Sequence, residues 1–240
     1  MLGLKQNPPD LFLLIVVISL LVIGLVIVTS ASAPKSLDDT GGASVFHYGL
    51  KQLILALIGM GLLLFMVNFP YLKFKRYTIP LILLTIGLLI LVLTPLGWAT
   101  KGARRWFNLG FFLLQPSELA KLTMIMFLAH YLAEIKKGIN NFIIGVIFPL
   151  ILVAMVCGLI MLEPDLGTTI VIFGTFMAVM FAAGAKVSHL SILTLSGLTM
   201  GSLLIIIEPY RLQRIFTFLD PWRDPQGAGW QIINSLYALG

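Results

Sequence analysis

Four polar segments of this 240-residue sequence carry side chains suited to gripping an anion or moving a proton. Residues 97–121 begin with the first, where Lys101, Arg104 and Arg105 stand beside Trp98, Trp106, Phe107, Phe111 and Phe112. The second follows at once as Gln115-Pro116-Ser117-Glu118-Leu119-Ala120-Lys121. Glu118 and Lys121 are three apart, so on a helix they share a face and can pair. The third, Glu163-Pro164-Asp165-Leu166-Gly167-Thr168-Thr169, sets two carboxylates in a tight turn. The fourth, 208–231, places Arg211 and Arg214 three apart, where a helical turn would point them together.

Arginine meets phosphate oxygens through paired N–H bonds, so these clusters suit a phosphate or a lipid headgroup. Each segment also has a plainer reading. The aromatic and basic residues of the first suit an interfacial anchor, with rings at headgroup depth and cations reaching for water. Glu118 and Lys121 suit a self-neutralising structural pair. Glu163 and Asp165 could balance the arginines, bind a metal, or act as acid or base, and charge balance is the first expectation. His47, His130 and His189 are isolated and lack ligand spacing. The residues therefore assign no metal, and whether a divalent cation assists stays open.

The elements that must hold these segments are set by composition. Hydrophobic residues make up 59% and charged residues 11% of the chain, and mean hydropathy is +1.02. A soluble domain carries roughly 25% charged residues, because its surface faces water. Apolar blocks lie near 11–33, 50–69, 78–96, 117–134, 142–162, 166–183 and 190–207. Most have about the 20 residues that cross a hydrocarbon layer. They are continuous, not alternating, so helices satisfy their backbones and a barrel does not. The predicted fold is all-α: a polytopic helical membrane protein with seven transmembrane helices, in one integral membrane domain over 1–240.

Ala31-Ser32-Ala33 resembles a signal-peptidase site, but the apolar run before it is too long for a signal, so a retained first helix is expected. The net charge of +6 sits in short loops, and no nucleic-acid module is present. The single Cys157 excludes an intramolecular disulfide. Total Lys and Arg counts do not fix orientation, but the tight turns at 70–77, 135–141 and 184–189 are basic, which favours placing them and the N-terminus in the cytoplasm. That orientation puts the clusters at 101–105 and 211–223 outside, where an anionic partner is expected.

Four stretches, in this order, resemble the FtsW/RodA/SpoVE family, the SEDS proteins. They are Lys101-Gly102-Ala103-Arg104-Arg105-Trp106, Gln115 through Lys121, Pro164-Asp165-Leu166-Gly167-Thr168, and Arg211 through Gln231. Ile23-Gly24 with Thr29-Ser30-Ala31-Ser32 is more similar to the division and sporulation branch than to the elongation branch. The resemblance implies a bacterial cytoplasmic-membrane protein of about ten spans that polymerises lipid II into glycan strands for septal or spore wall. It implies a class B penicillin-binding protein as partner. Lys101, Arg104, Arg105, Gln115, Glu118, Lys121, Asp165, Arg211, Arg214 and Gln231 are the implied substrate-binding residues. Asp165 is expected to hold the arginines in place.

The family's presumed catalytic aspartate belongs to a large external loop after the seventh span, and no catalytic residue is assigned among 1–240. The odd span count and the stop inside a helix-like stretch lead us to expect an amino-terminal portion, inactive by itself. Glu163 stands where many members have glutamine, and Trp230 where tyrosine is common. Two other functions remain in view: a lipid II flippase using Glu118 and Lys121, and a non-catalytic scaffold for the penicillin-binding protein.

Overall fold

The computed structural model describes residues 10–100, 103–110, 112–227 and 229–239. Lys101 and Phe111, both singled out above, lie outside the described residues. The chain divides into a unit ending at Lys73 and a unit beginning at Phe74.

In the first unit, helix α1 (Leu11–Ala31) starts where Asp10 accepts a hydrogen bond from the Leu13 N–H at 3.1 Å. This N-cap satisfies one of the orphan amides of the first turn. The short α2 (Ala33–Asp39) leads to α3 (His47–Asn68). The Asp39 carboxylate accepts from the Tyr48 hydroxyl, fastening the connection. Gly49 lets α3 approach α1 closely: a Cβ there would lie 2.6 Å from Thr29 Oγ1. Otherwise these helices bury nothing, α1 no residue and α3 only Gly49. Their apolar side chains are largely exposed, as suits helices that face lipid.

The second unit holds the core. Helix α4 (Phe74–Leu93) buries Thr78, Ile82, Thr85, Leu89 and Val92, one stripe at spacings of four and three. Helix α5 (Pro116–Ile135) answers with Ala120, Thr123, Met124, Leu128 and Leu132. The Thr123 and Thr85 hydroxyls meet at 3.2 Å, an interhelical bond inside the stripe. A π-helical turn at Ile143–Ile147 opens α6 (Phe148–Leu162), which presents Val153, Val156 and Ile160. Helix α7 (Leu166–Ala182) presents Ile172, Phe176 and Met180 at every fourth position. Helix α8 (Val187–Ile207) buries only Leu193. The amphipathic α9 (Pro209–Leu219) and α10 (Trp230–Leu239) follow.

The predicted spans are thus present as helices. Among the described residues, five are long and apolar enough to cross a membrane: Leu11–Ala31, His47–Asn68, Phe74–Leu93, Ile143–Leu162 and Val187–Ile207. Helix α7 is apolar but has 17 residues, and α5 has 20 but carries Glu118, Lys121 and Glu134. The protein is a polytopic helical integral membrane protein.

One element departs from the all-helical expectation. Between α4 and α5 lies a three-stranded antiparallel sheet of β1 (Trp98–Thr100), β2 (Ala103–Asn108) and β3 (Leu113–Leu114). Trp98 faces Trp106 across it, and Phe107 faces Leu114. Between β2 and β3 the Asn108 side chain accepts from the Gly110 N–H at 2.9 Å, and Gly110 has φ +82°, a left-handed value that glycine adopts without a Cβ penalty.

Candidate functional site

The sheet decides what the two adjacent arginines do. Successive side chains on a strand point to opposite faces. On β2, Arg104 is therefore turned away from Arg105. Arg104 is exposed, and among the described residues it has no hydrogen-bond or ion-pair partner. Arg105 is half-buried and reaches the turn between α6 and α7. Its Nε donates to the Glu163 backbone carbonyl at 2.5 Å, and an Nη donates to the Pro164 carbonyl at 2.6 Å. Helix α6 ends at this turn, and carbonyls at a helix end lack partners from the helix itself. A guanidinium fork fits the exposed pair.

The same turn receives α5. Gln115, just before its first residue, donates through Nε2 to Asp165 Oδ2 at 3.4 Å. Asp165 is the N-cap of α7: Oδ1 accepts from the Thr168 N–H at 3.0 Å and Oδ2 from the Thr168 hydroxyl at 2.8 Å. This corrects the expectation that Asp165 holds the arginines. Its oxygens are taken by α7 and Gln115, and Arg105 is held by main-chain carbonyls instead. Two neighbouring segments, β2 and the start of α5, thus meet the distant α6–α7 turn in one hydrogen-bonded cluster.

Glu163 sits at the centre of this turn, in a state that no local sequence pattern signals. Its side chain is 0% exposed, and neither carboxylate oxygen has a hydrogen-bond partner. Burial pushes its carboxyl up to about 7, the negative charge of Asp165 pushes the same way, and Arg105 opposes both. Ser117 Oγ, one turn into α5, is also buried without a partner.

Glu118 and Lys121 pair as expected, with Nζ 2.8 Å from the carboxylate, and both are partly open to the surroundings. On α9 the expected pairing of Arg211 with Arg214 is not found. Arg211 turns back to donate to the Leu204 carbonyl of α8 at 2.6 Å, whereas Arg214 lies over the Tyr210 ring, 4.7 Å from its centroid. Gln231 is exposed on α10. No bond joins α9 or α10 to the Arg105 cluster among the described residues. No group of three metal-ligating side chains occurs there either.

The family model for FtsW, RodA and SpoVE, described as "Cell cycle protein", matches residues 11–240. The chain belongs to the FtsW/RodA/SpoVE family. A relative of this family, stage V sporulation protein E of Bacillus subtilis, is 41% identical over 240 residues, covering 98% of this chain and 64% of its own. The probable peptidoglycan glycosyltransferase FtsW of Aliivibrio salmonicida is 36% identical over 231 residues, covering 96% of this chain and 57% of its own. The chain therefore spans less than two thirds of the length of these relatives.

Solved structures of the family agree on the fold. One is from work on coordination of polymerization and crosslinking by a peptidoglycan synthase complex; it has TM-score 0.63 and 33% identity, covering 90% of this chain and 64% of its own. The rod shape determining protein RodA of Thermus thermophilus follows at TM-score 0.55 and 31% identity, covering 76% of this chain and 58% of its own.

Proposed function

We propose that this FtsW/RodA/SpoVE chain works in a peptidoglycan glycosyltransferase that polymerises lipid II into glycan strands, and that it supplies cationic contacts for the substrate. The observation that carries this is the meeting of β2, the start of α5 and the α6–α7 turn in one cluster, with Arg104 left unpaired on its exposed face. The names of the FtsW relatives support the reaction class.

The reaction displaces a polyprenyl diphosphate from an anomeric carbon with a sugar hydroxyl. The leaving diphosphate gathers charge, and cations held ready for it stabilise that charge. Arg104, exposed and unpartnered among the described residues, and Arg214, exposed but with one face on the Tyr210 ring, are the arginines assigned this role, with Lys101 in support. Lys121 enters through its pair with Glu118. Arg105, Gln115 and Asp165 act behind them by fixing β2 and the helix ends. Arg211 does the same for α9, and Gln231 remains a candidate contact.

In this reading the chain lies in the bacterial cytoplasmic membrane with its N-terminus inside, so that the cluster meets the outer leaflet. A class B penicillin-binding protein crosslinks the strands made beside it. The test is polymer formation on purified lipid II by the complete protein with that partner. Arg104→Ala and Arg214→Ala are expected to reduce strand formation at least tenfold, about 1.4 kcal/mol, with unchanged folding. Equal product from either variant and the unmodified protein would remove that arginine from the substrate site.

A further inference from the structure

The environment of Glu163 is unusual in one combination. Its backbone carbonyl is held by a guanidinium, while its own carboxylate is sealed from solvent with both oxygens unpartnered. An ionised carboxylate buried without partners is strongly disfavoured, whereas a neutral acid there costs far less. The cation bonded at this turn is Arg105, and its fork has five N–H donors, of which two bonds occupy the Glu163 and Pro164 carbonyls.

We propose that Glu163 is a proton-operated lock that positions strand β2. With the proton on, the carboxyl is neutral and Arg105 stays on the two carbonyls. Arg105 then pins β2 to the α6–α7 turn and, through strand alternation, turns Arg104 outward. With the proton released to water, the new carboxylate draws the guanidinium to itself, the carbonyl bonds are given up, and β2 loosens from the turn. No covalent bond other than O–H is broken, and the proton passes to water.

The charged groups around this turn fit that assignment. Strand β2 brings Arg105, and the start of α7 brings Asp165, whose oxygens are already engaged by Thr168 and Gln115. The first turns of α5 bring Glu118 and Lys121, which pair with each other. The end of α4 nearest β1 carries no charged residue. Among the described residues Arg105 is therefore the cation positioned to answer a charge on Glu163. The lock rests on the glycosyltransferase reading only for what an ordered β2 is used for, and it is tested without any activity.

The experiment is amide hydrogen exchange of residues 103–108 in the full chain reconstituted in lipid nanodiscs. It runs from about pH 5 to about pH 9, corrected for the intrinsic pH dependence of exchange. Protection is expected to fall at least about tenfold across the range, with a midpoint near the value burial gives Glu163. Glu163→Gln, which keeps a neutral side chain, is expected to hold the acid level of protection throughout. Protection that does not change with pH in the unmodified chain overturns the lock, and so does an unchanged pH dependence in Glu163→Gln. If that variant does not fold, infrared spectra of the unmodified chain decide. A protonated-carboxyl band lost with a midpoint near neutrality supports the lock, and its absence at acid pH overturns it. A lock that passes while Arg104→Ala leaves polymerisation intact would refute the substrate reading alone.

Discussion

The Arg105 guanidinium is bonded to the Glu163 backbone carbonyl, while the carboxylate of that same residue has no hydrogen-bond partner. The contact that joins the sheet to the helix bundle is thus charge-assisted without being an ion pair. Its strength depends on the shape of the donor as much as on its charge.

Arg105→Ala removes both bonds to the turn and leaves two carbonyls at a helix end unsatisfied. A loss of about 2 kcal/mol or more is expected, since hydrogen bonds from charged donors contribute about 1.5–3 kcal/mol each. Arg105→Lys keeps the charge but cannot present the fork, so it should recover only part of the loss. Unfolding midpoints in mixed micelles would measure both. A lysine variant as stable as the parent would show that charge alone suffices.

The raised Glu163 carboxyl makes a signed prediction about pH. In the folded chain the group binds its proton up to about 7, against an ordinary value of 4.5. Between these values the native state holds more protons than the unfolded state, so stability falls as pH rises. The contribution is fully present below about 4.5 and lost once pH passes about 7. The total is on the order of 3 kcal/mol. Glu163→Gln should flatten this slope in pH-dependent melting curves; a slope equal to that of the parent would assign it to another group.

Asp165 caps α7 through the Thr168 N–H and hydroxyl. Asp165→Ala should destabilise the chain by about 0.5–2 kcal/mol, and Asp165→Asn, still a good N-cap, by less. If asparagine is as harmful as alanine in thermal melts, the negative charge matters and not the cap.

Gly49→Val should push α3 from α1, because a Cβ there meets Thr29 Oγ1 at 2.6 Å. Overpacking of this kind costs about 1–3 kcal/mol. Thr29→Ala in the same chain should relieve part of it, a coupling that a double-mutant cycle reads directly. Purely additive effects would mean that the helices do not pack through these residues.

Much of this fold is legible in the residues because lipid imposes a strong pattern. Apolar runs such as 11–31 and 187–207 have one stable outcome in a bilayer, a helix. The Glu118–Lys121 pair follows from helical spacing alone. The sheet formed by β1, β2 and β3 is not legible in this way, since its short strands lie in a stretch whose aromatic and basic residues also suit an interfacial anchor. The signal was present in Ala103–Asn108, a run free of glycine and proline that ends at the Asn108-Leu109-Gly110 turn. Without the strand, Arg104 and Arg105 read as one cluster; with it, they face opposite ways. Likewise, spacing on α9 could not reveal that the α8 carbonyl at Leu204 would claim Arg211. The burial of Glu163 depends on three segments closing together, and no local pattern encodes that.

Helix α1 buries none of its 21 residues. The apolar side chains it leaves exposed beside α3 are suited to an amphiphile, so acyl-chain length and membrane thickness act on it directly. The helices around the α4–α5 stripe carry their own packing with them. Transfer from bilayer to detergent should leave that stripe in place while the tilt and mobility of α1 follow the solvent that receives it.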